Sequence, residues 1–294
     1  MAKRLTVMDF FKRYPDEDTC LNHVMEVRYG LESKCAKCER DSTFHKIAKR
    51  PAYACKFCGN HVYPMAGTPF ESTRTPLQMW FYAIYLFTTT KHGVPAKELQ
   101  RQLGVTYKTA WRMGHEIRKY MAKVDGDAPI GGGGSPVEVD ETLVGGKVKM
   151  GKGAKGGRHL ENKTIVLGMV ERGGDIVTRI VPNQKAATLM PAVTEMVEAG
   201  ATVYTDNLHS YHSLSARGYK HESVNHERGQ YVSKTGAHTQ TIESFWARLK
   251  LSISGTHVRV SRKHLQKYVG EFEFRFNRRR QTSEQMLVEL MTAF

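Results

Sequence analysis

The chain has 294 residues, of which 44 are lysine or arginine and 29 are aspartate or glutamate, so its formal net charge is +15. With 40% apolar and 25% charged residues it has the composition of a folded protein, which excludes wholesale disorder. The longest apolar run, Met79 to Phe87, covers about half of the ~20 residues that a membrane-spanning helix needs. We therefore expect a cytoplasmic protein of two or three domains. Its charge favours a polyanionic partner such as nucleic acid, and we expect no membrane partner.

Four of the five cysteines form two C-x-x-C pairs separated by sixteen residues. This spacing is typical of a structural zinc site, because each short turn lets two thiolates face one ion. Strand-like segments between the pairs predict a zinc ribbon. The predicted Zn²⁺ ligands are Cys35, Cys38, Cys55 and Cys58. The fifth cysteine, Cys20, is interpreted as a buried apolar side chain.

The next segment is predicted to be helical. Thr75 and Pro76 fit a helix start, with Thr75 as the cap and Pro76 in the first helical position. Two further helices, separated by Gly104 and Val105, have the pattern of a helix-turn-helix, whose second helix enters the major groove of DNA. The candidate DNA-reading side chains on the second helix are Tyr107, Lys108 and Arg112.

The pattern changes after the glycine run 131–134, which predicts a linker or a tight crossing of the chain. Strands are expected over 137–140, 164–170, 176–181, 201–206 and 220–225, and helices over 186–199, 241–253 and 264–276. We expect Gly200 to end the first of these helices. The order β-β-β-α-β-α-β-α predicts an α/β sheet flanked by helices.

Three acidic residues occupy positions that favour a shared site. Asp140 and Asp206 each end a predicted strand, and Glu243 lies in the first turn of a predicted helix. Three carboxylates repel one another unless cations share the site, and oxygen ligands suit Mg²⁺ or Mn²⁺. Two such ions can activate an attacking oxygen and stabilise the leaving oxygen of a phosphodiester, as in nucleases and polynucleotidyl transferases. Lys250 follows Glu243 by two helical turns, and we expect it to hold a DNA phosphate beside the ions.

The segments around these acids resemble the catalytic blocks of a known group. Val137–Thr142, Tyr204–Asn207 and His238–Lys250, with the C-terminal segment His264–Arg279, are similar to those of ISXO-type insertion-sequence transposases. The resemblance implies an N-terminal zinc ribbon and an RNase H-like mixed sheet flanked by helices. It also implies that Asp140, Asp206 and Glu243 bind the catalytic metals and that Lys250 assists them. Glu138 and Glu141 lie close to Asp140 in sequence, and we retain Asp140 as the ligand.

A basic, glycine-rich segment follows the first predicted strand of the α/β part. It contains five cations and no acid within twelve residues, which predicts a loop that binds DNA phosphates. The cations are Lys147, Lys149, Lys152, Lys155 and Arg158. The domain boundaries expected from all these patterns are 1–70 (zinc ribbon with an N-terminal helix), 71–128 (helix-turn-helix) and 129–294 (catalytic domain).

Together these observations predict a transposase that binds the inverted repeats of its element, cleaves the ends and joins them to target DNA. The expected partner is double-stranded DNA, which would associate the protein with the nucleoid. Joining two ends calls for at least a homodimer. Two alternatives stay open: an RNase H-like nuclease without strand transfer, and a zinc-ribbon DNA-binding regulator that does not cut.

Overall fold

The computed structural model describes residues 5–145, 163–225, 229, 231–233 and 235–293. The chain divides into two compact units, one formed by Met1–Tyr120 with Arg280–Phe294 and the other by Met121–Arg279. Over the described ranges, no helix combines the length and the apolar composition that crossing a membrane requires. Each unit buries apolar side chains of its own.

The N-terminal unit begins with two helices and a small antiparallel sheet. These elements are α1 (Val7–Arg13), α2 (Glu17–Tyr29), β1 (Glu32–Lys34), β2 (Asp41–Lys46), β3 (Tyr53–Cys55) and β4 (His61–Val62). The strands follow the order β1-β2-β3-β4, and β2 and β3 lie where the sequence predicts short extended segments between the cysteine pairs. The sheet therefore brings the two C-x-x-C turns together.

Three helices follow: α3 (Leu77–Thr89), α4 (Ala96–Leu103) and α5 (Tyr107–Asp125). The predicted start of α3 was wrong, because Pro76 is the cap residue and the helix begins at Leu77. The free N–H groups of Leu77 and Gln78 donate to the two carboxylate oxygens of Glu17, at 2.8 and 3.1 Å. A carboxylate from α2 thus replaces the local cap that the sequence suggested.

The last helix of the chain, α9 (Ser283–Thr292), belongs to this unit. The Tyr120 hydroxyl donates to the carbonyl oxygen of Leu290 at 2.7 Å, and His23 Nε2 lies 3.1 Å from that of Met291. The boundaries expected from the sequence place α9 with residues 129–294. The functional division into 1–70, 71–128 and 129–294 stays a prediction.

The C-terminal unit is built on a mixed five-stranded sheet. Its elements are β5 (Val137–Val144), β6 (Thr164–Glu171), β7 (Ile176–Val181), α6 (Ala186–Met196), β8 (Thr202–Asp206), β9 (Lys220–Val224), α7 (Gln240–Ser252) and α8 (Arg262–Asn277). The strand order is β7-β6-β5-β8-β9. Antiparallel pairing joins β7, β6 and β5, whereas β5, β8 and β9 run parallel. Helices cover both faces, since α6 packs in one apolar cluster and α7 and α8 pack in another. The predicted fold class, a mixed sheet flanked by helices, is confirmed.

Two details of the prediction were wrong: the order of the elements, which placed a helix between the last two strands, and the end of the helix expected over 186–199. Between β8 and β9 the described residues form two 3₁₀ turns, His209–Tyr211 and Ser215–Arg217, in place of a helix. Helix α6 ends at Met196, short of the expected end at residue 199. Val197 is extended and forms an isolated parallel bridge with Ile130, so its apolar side chain enters the core without continuing the helix.

The glycine run before β5 is a tightly packed crossing. Gly131 has a φ of +94°, and a Cβ there would lie 2.9 Å from Val137 Cγ2 and 3.1 Å from Ala201 Cβ. Its N–H donates to Glu171 Oε2 at 3.2 Å. Only glycine combines this backbone conformation with such close neighbours. Of the two interpretations of the run, the structure has the tight crossing.

Candidate functional site

Asp140 and Asp206 lie side by side on neighbouring parallel strands. The last paired residues of β5 and β8 are Val139 and Thr205, so the next residue of each strand is one of the two acids. Parallel neighbours lie about 4.8 Å apart and residues in register project to the same face, which places both carboxylates next to each other on one face of the sheet. The prediction that Asp140 ends its strand was wrong, because β5 continues to Val144 and Asp140 pairs with Gly168 of β6. Asp206 Oδ1 also accepts the Leu208 N–H at 3.0 Å.

Asp140 is largely buried and has two other carboxylates, those of Glu141 and Asp206, close to its own. Burial raises the pKa of Asp140 to about 7, with further contributions from the carboxylates of Glu141 and Asp206. Among the described residues, no lysine or arginine forms an ion pair with Asp140 or Asp206. Closely spaced oxygen ligands without a basic partner have the chemistry that a divalent cation prefers. The donor set therefore fits Mg²⁺ or Mn²⁺.

Helix α7, which carries Glu243, packs against the face of the sheet that carries Asp140. The indole N–H of Trp246 donates to Asp140 Oδ2 at 3.0 Å, which fixes the second turn of α7 against β5. Glu243 precedes Trp246 by three residues and lies on the same side of the helix. Its Oε1 accepts the Thr239 hydroxyl at 2.8 Å. Lys250, two turns further along α7, is exposed.

The three carboxylates are less tightly gathered than the four thiols. Within the described part of the chain, the cysteines are the one group of three or more potential ligands whose donor atoms all lie within 4.8 Å of one another. Asp140, Asp206 and Glu243 do not form such a cluster, and the Glu243 side chain is exposed. Their assignment as metal ligands stays a prediction.

The two glutamates beside Asp140 have different surroundings. Glu141 lies on the opposite face of β5, where it accepts the Tyr211 hydroxyl at 2.5 Å and the Gln184 side-chain N–H at 2.7 Å. Burial raises the pKa of Glu141. Glu138, on the same face as Asp140, is fully buried and accepts backbone N–H groups of α7. Both glutamates therefore have protein donors for their oxygens, as do Asp140, which accepts the Trp246 indole N–H, and Asp206, which accepts the Leu208 N–H.

Sequence reasoning missed the residues that support the acids, chiefly Trp246, Tyr211 and Gln184. Trp246 could have been predicted to lie near Glu243, because side chains three residues apart lie on the same side of a helix. Tyr211 and Gln184 carried none, since both lie outside the regular elements of the sheet and reach Glu141 only in the folded chain.

The four predicted metal-binding cysteines meet in the N-terminal unit. Cys35 Sγ lies 3.7 Å from Cys58 Sγ, and Cys38 Sγ lies 3.9 Å from Cys55 Sγ. Four sulfurs around Zn²⁺, each at about 2.3 Å in a tetrahedron, are separated by about 3.8 Å. The cluster therefore fits a zinc ribbon. A hydrogen bond with Ser42 lowers the pKa of the Cys55 thiol to about 6, which favours the thiolate that a metal needs.

Cys20 lies apart from this cluster and is fully buried. Burial raises the pKa of its thiol to about 12. The interpretation of Cys20 as an apolar core side chain is confirmed.

Helices α4 and α5 form the predicted pair joined by a short turn. Gly104 ends α4 in the left-handed conformation (φ +64°), and the Thr106 hydroxyl accepts the Thr109 N–H at 3.3 Å. The candidate reading residues Tyr107, Lys108 and Arg112 are all exposed. Two of them contact neighbours: Lys97 Nζ lies 4.9 Å from the centre of the Tyr107 ring, and Arg112 Cζ lies 5.6 Å from that of Trp80.

The predicted basic loop lies outside the described residues. This applies to Lys147, Lys149, Lys152, Lys155 and Arg158. At the start of β6 the structure has a cleft of about 370 Å³ whose lining includes Lys163 and Arg262. Neither cation forms an ion pair with a residue that the structure describes.

The arrangement of the C-terminal unit can be compared with known proteins. The ISXO2-like transposase domain matches residues 131–277, which is 147 of the 294 residues. The chain belongs to this family. The ISXO2-like match begins at the glycine crossing and spans β5 to the end of α8, so it includes Asp140, Asp206 and Glu243. The family expected from the sequence is confirmed.

Two curated proteins related to this ISXO2-like chain come from mobile elements or resemble transposases. An uncharacterized protein in transposable element ISH50 of Halobacterium salinarum is 27% identical over 283 residues, covering 90% of this chain and 92% of that protein. An uncharacterized transposase-like protein of Haemophilus influenzae is 30% identical over 102 residues, covering 35% of this chain and 80% of that protein.

Among solved structures, the chain is similar to the protein in the crystal structure of the Mos1 strand transfer complex, with a TM-score of 0.29 and 12% identity. That match covers 73% of this chain and 78% of the other. A pre-cleavage Mos1 transpososome gives a TM-score of 0.26 at 12% identity, covering 73% and 79%. Scores at this level do not establish a shared fold.

Proposed function

We propose that this ISXO2-like protein is a DDE transposase that binds the terminal inverted repeats of its element, cleaves the ends and joins them to target DNA. The observation that carries the proposal is the side-by-side position of Asp140 and Asp206 on the parallel strands β5 and β8, with α7 held against Asp140 through Trp246. Membership of a transposase family supports the same activity. The core is assigned as RNase H-like.

The chemistry consists of two in-line phosphoryl transfers. In the first, a water oxygen attacks the phosphorus at the element's end, and the P–O3′ bond breaks to leave a 3′-hydroxyl and a 5′-phosphate. In the second, that 3′-hydroxyl attacks a target phosphodiester and the target's own 3′-oxygen leaves. Two Mg²⁺ or Mn²⁺ ions, held by Asp140, Asp206 and Glu243, supply Lewis-acid activation when bound.

The chain's own residues hold this site in shape. Trp246 orients Asp140 through the indole N–H, and the Thr239 hydroxyl restrains the Glu243 carboxylate. Lys250 is exposed on α7 and is assigned to a DNA phosphate beside the cations. Because water and a DNA hydroxyl are the attacking groups, no covalent intermediate with the protein is required.

DNA binding is assigned to several basic surfaces. The α4–α5 pair reads the inverted repeat through Tyr107, Lys108 and Arg112, as expected for the second helix of a helix-turn-helix. The basic segment 147–158 and the cleft with Lys163 and Arg262 bind phosphates. Zn²⁺ on the four cysteines stabilises the ribbon. Joining two ends requires a homodimer or larger assembly.

The proposal is tested with DNA that carries both ends of the protein's own genetic element, in the presence of Mg²⁺ or Mn²⁺. The variants are Asp140→Asn, Asp206→Asn and Glu243→Gln, and Glu195→Gln removes an exposed carboxylate of the same unit as a control. We expect the wild type and the control to cleave and join, and the three variants to bind the ends without cleaving them.

Other outcomes identify the alternatives. Cleavage without any joined product by the wild type indicates a nuclease. Binding of the ends without cleavage indicates a regulator. Cleavage by all three variants at the wild-type rate shows that the site is misassigned.

A further inference from the structure

Helix α7, which carries Glu243, does not cap its own N-terminus. The cap residue is Thr239, and its side chain makes no capping hydrogen bond. The Thr239 hydroxyl donates to Glu243 instead. The first N–H groups of any α-helix lack partners within the helix, so those of α7 must find acceptors elsewhere.

Glu138 supplies these acceptors from β5. Its Oε2 accepts the N–H groups of Thr241 at 2.8 Å and Ile242 at 3.1 Å. Its Oε1 accepts the Thr241 hydroxyl at 2.9 Å. The capping carboxylate therefore comes from a residue more than a hundred positions earlier in the chain, on the strand that also carries Asp140.

The charge of Glu138 is matched as well. Glu138 is fully buried, and a buried carboxylate is costly unless it is paired and hydrogen-bonded. Arg172 Nε donates to Glu138 Oε1 at 2.8 Å. The same arginine donates to the carbonyl oxygens of Gly236 and His238, at 3.3 and 3.1 Å, which ties down the segment leading into α7. The positive end of the α7 dipole further favours an anion at this position.

Two contacts thus join α7 to β5, and Glu243 lies between them in sequence. Glu138 holds residues 241 and 242, and Asp140 accepts the indole N–H of Trp246. We propose that Glu138 is a positioning residue that fixes Glu243 relative to Asp140 and so sets the geometry of the metal site. This inference rests on the proposed function, because it assigns Glu138 a role in a site that Asp140 and Glu243 form.

The test uses the full-length protein saturated with Zn²⁺, so that added Mn²⁺ reports on the carboxylates. The variant Glu138→Gln keeps the shape of the side chain but replaces one acceptor oxygen with an NH₂ group that cannot accept from α7. The matched control is Glu271→Gln, because Glu271 is also fully buried and also pairs with an arginine, Arg275, at 2.8 Å. Isothermal titration calorimetry measures the affinity for Mn²⁺. Hydrogen exchange measures the protection of the Thr241 and Ile242 amides, and gel electrophoresis of the DNA products measures end cleavage.

We expect Glu138→Gln to bind Mn²⁺ about 10- to 100-fold more weakly than the wild type, as for residues that orient metal ligands. Amide exchange at 241 and 242 should accelerate, cleavage should fall, and binding to the DNA ends should be unchanged. Glu271→Gln should lose thermal stability without losing Mn²⁺ affinity. Wild-type Mn²⁺ affinity and cleavage in a folded Glu138→Gln protein overturn the inference.

A second variant separates the positioning role of Glu138 from its role as the charge partner of Arg172. It also provides a test if the Glu138→Gln protein does not fold. Glu138→Gln combined with Arg172→Gln removes the half-buried arginine that would otherwise lose its carboxylate partner. We expect its thermal stability to recover toward that of the wild type while Mn²⁺ affinity stays low, and recovery of both overturns the inference. If wild-type protein binds Mn²⁺ no better than Asp140→Asn, the proposed function itself fails and the inference fails with it.

Discussion

Trp246 lies directly against Gly168, the residue of β6 that pairs with Asp140. A Cβ at residue 168 would lie 2.6 Å from Trp246 Cζ2 and 3.0 Å from Ile242 Cδ1, closer than van der Waals contact allows. The missing side chain lets the indole ring approach the sheet closely enough for its N–H to reach Asp140. A glycine on β6 therefore determines how closely helix α7 approaches β5.

The substitution Gly168→Ala should displace Trp246 and break its hydrogen bond to Asp140. We expect a loss of about 1–3 kcal/mol in the free energy of unfolding, the usual cost of overpacking a core, together with reduced end cleavage. Urea denaturation and a cleavage assay measure the two effects. Gly255→Ala is the control, since a Cβ there meets nothing within 4 Å. Equal stability and activity in the two variants would show that the contact is unimportant.

The substitution Trp246→Phe tests the hydrogen bond without removing the packed ring. Asp140 loses its only indole donor, so we expect metal-dependent cleavage to fall about 10- to 100-fold, as for other residues that orient a metal ligand. The control is Trp80→Phe, which removes an equally buried indole that donates to Thr73 Oγ1 at 3.0 Å in the N-terminal unit. A Trp246→Phe protein that cleaves at the same rate as the control contradicts the prediction.

Metal analysis of the purified protein should find one tightly bound Zn²⁺ per chain. Cys38→Ser should reduce this to none and lower the unfolding temperature, because a structural zinc site contributes its binding free energy to folding. Cys20→Ala should retain the zinc, since Cys20 is fully buried away from the cluster. Zinc retained by Cys38→Ser, or lost from Cys20→Ala, shows that the ligand set is wrong.

Stability should fall as the pH rises from about 5 to 8, in part because of Glu273. Burial raises its folded-state pKa to about 8 from 4.5, and the nearby carboxylates of Asp125 and Asp127 add to the shift. Between these values the folded state binds a proton that the unfolded state has lost, so the free energy of unfolding decreases with pH, by at most about 1.4 kcal/mol per unit.

The comparison that isolates Glu273 is urea denaturation of the wild type and Glu273→Gln from pH 5 to 8. The variant cannot ionise, so its stability should depend less on pH and exceed that of the wild type most at pH 8. Part of the slope should remain, because burial also raises the pKa of Asp125 to about 7. Parallel curves for the two proteins would refute the assignment.

Short-range patterns predicted much of this molecule. The strands β7 and β8, the helix pair α4–α5 and the cluster of four cysteines each depend on residues within a few positions of one another, where spacing fixes which side chains share a face. The assignment of Asp140 and Asp206 to strands could also be predicted, and so could the end of β8 at Asp206, whereas β5 continues past Asp140 to Val144. Strand order then placed them together.

Contacts between distant segments could not be predicted in this way. Asp140 was singled out from Glu138 and Glu141 with the help of the family resemblance, but the sequence did not predict the different partners of these three acids. In the folded unit, Glu138 caps α7, Asp140 accepts from Trp246, and Glu141 binds Tyr211 on the opposite face. Likewise, Glu17 caps α3 in place of Thr75.

The sequence by itself therefore determined most of the helices and strands and the residue types at the candidate sites, because local periodicity and ligand spacing act over a few residues. The tertiary structure decided which hydrogen-bond partners each of the neighbouring acids Glu138, Asp140 and Glu141 has. The physical reason is that a buried carboxylate must take its hydrogen-bond donors from whatever element packs against it, and that element lies far away in the chain.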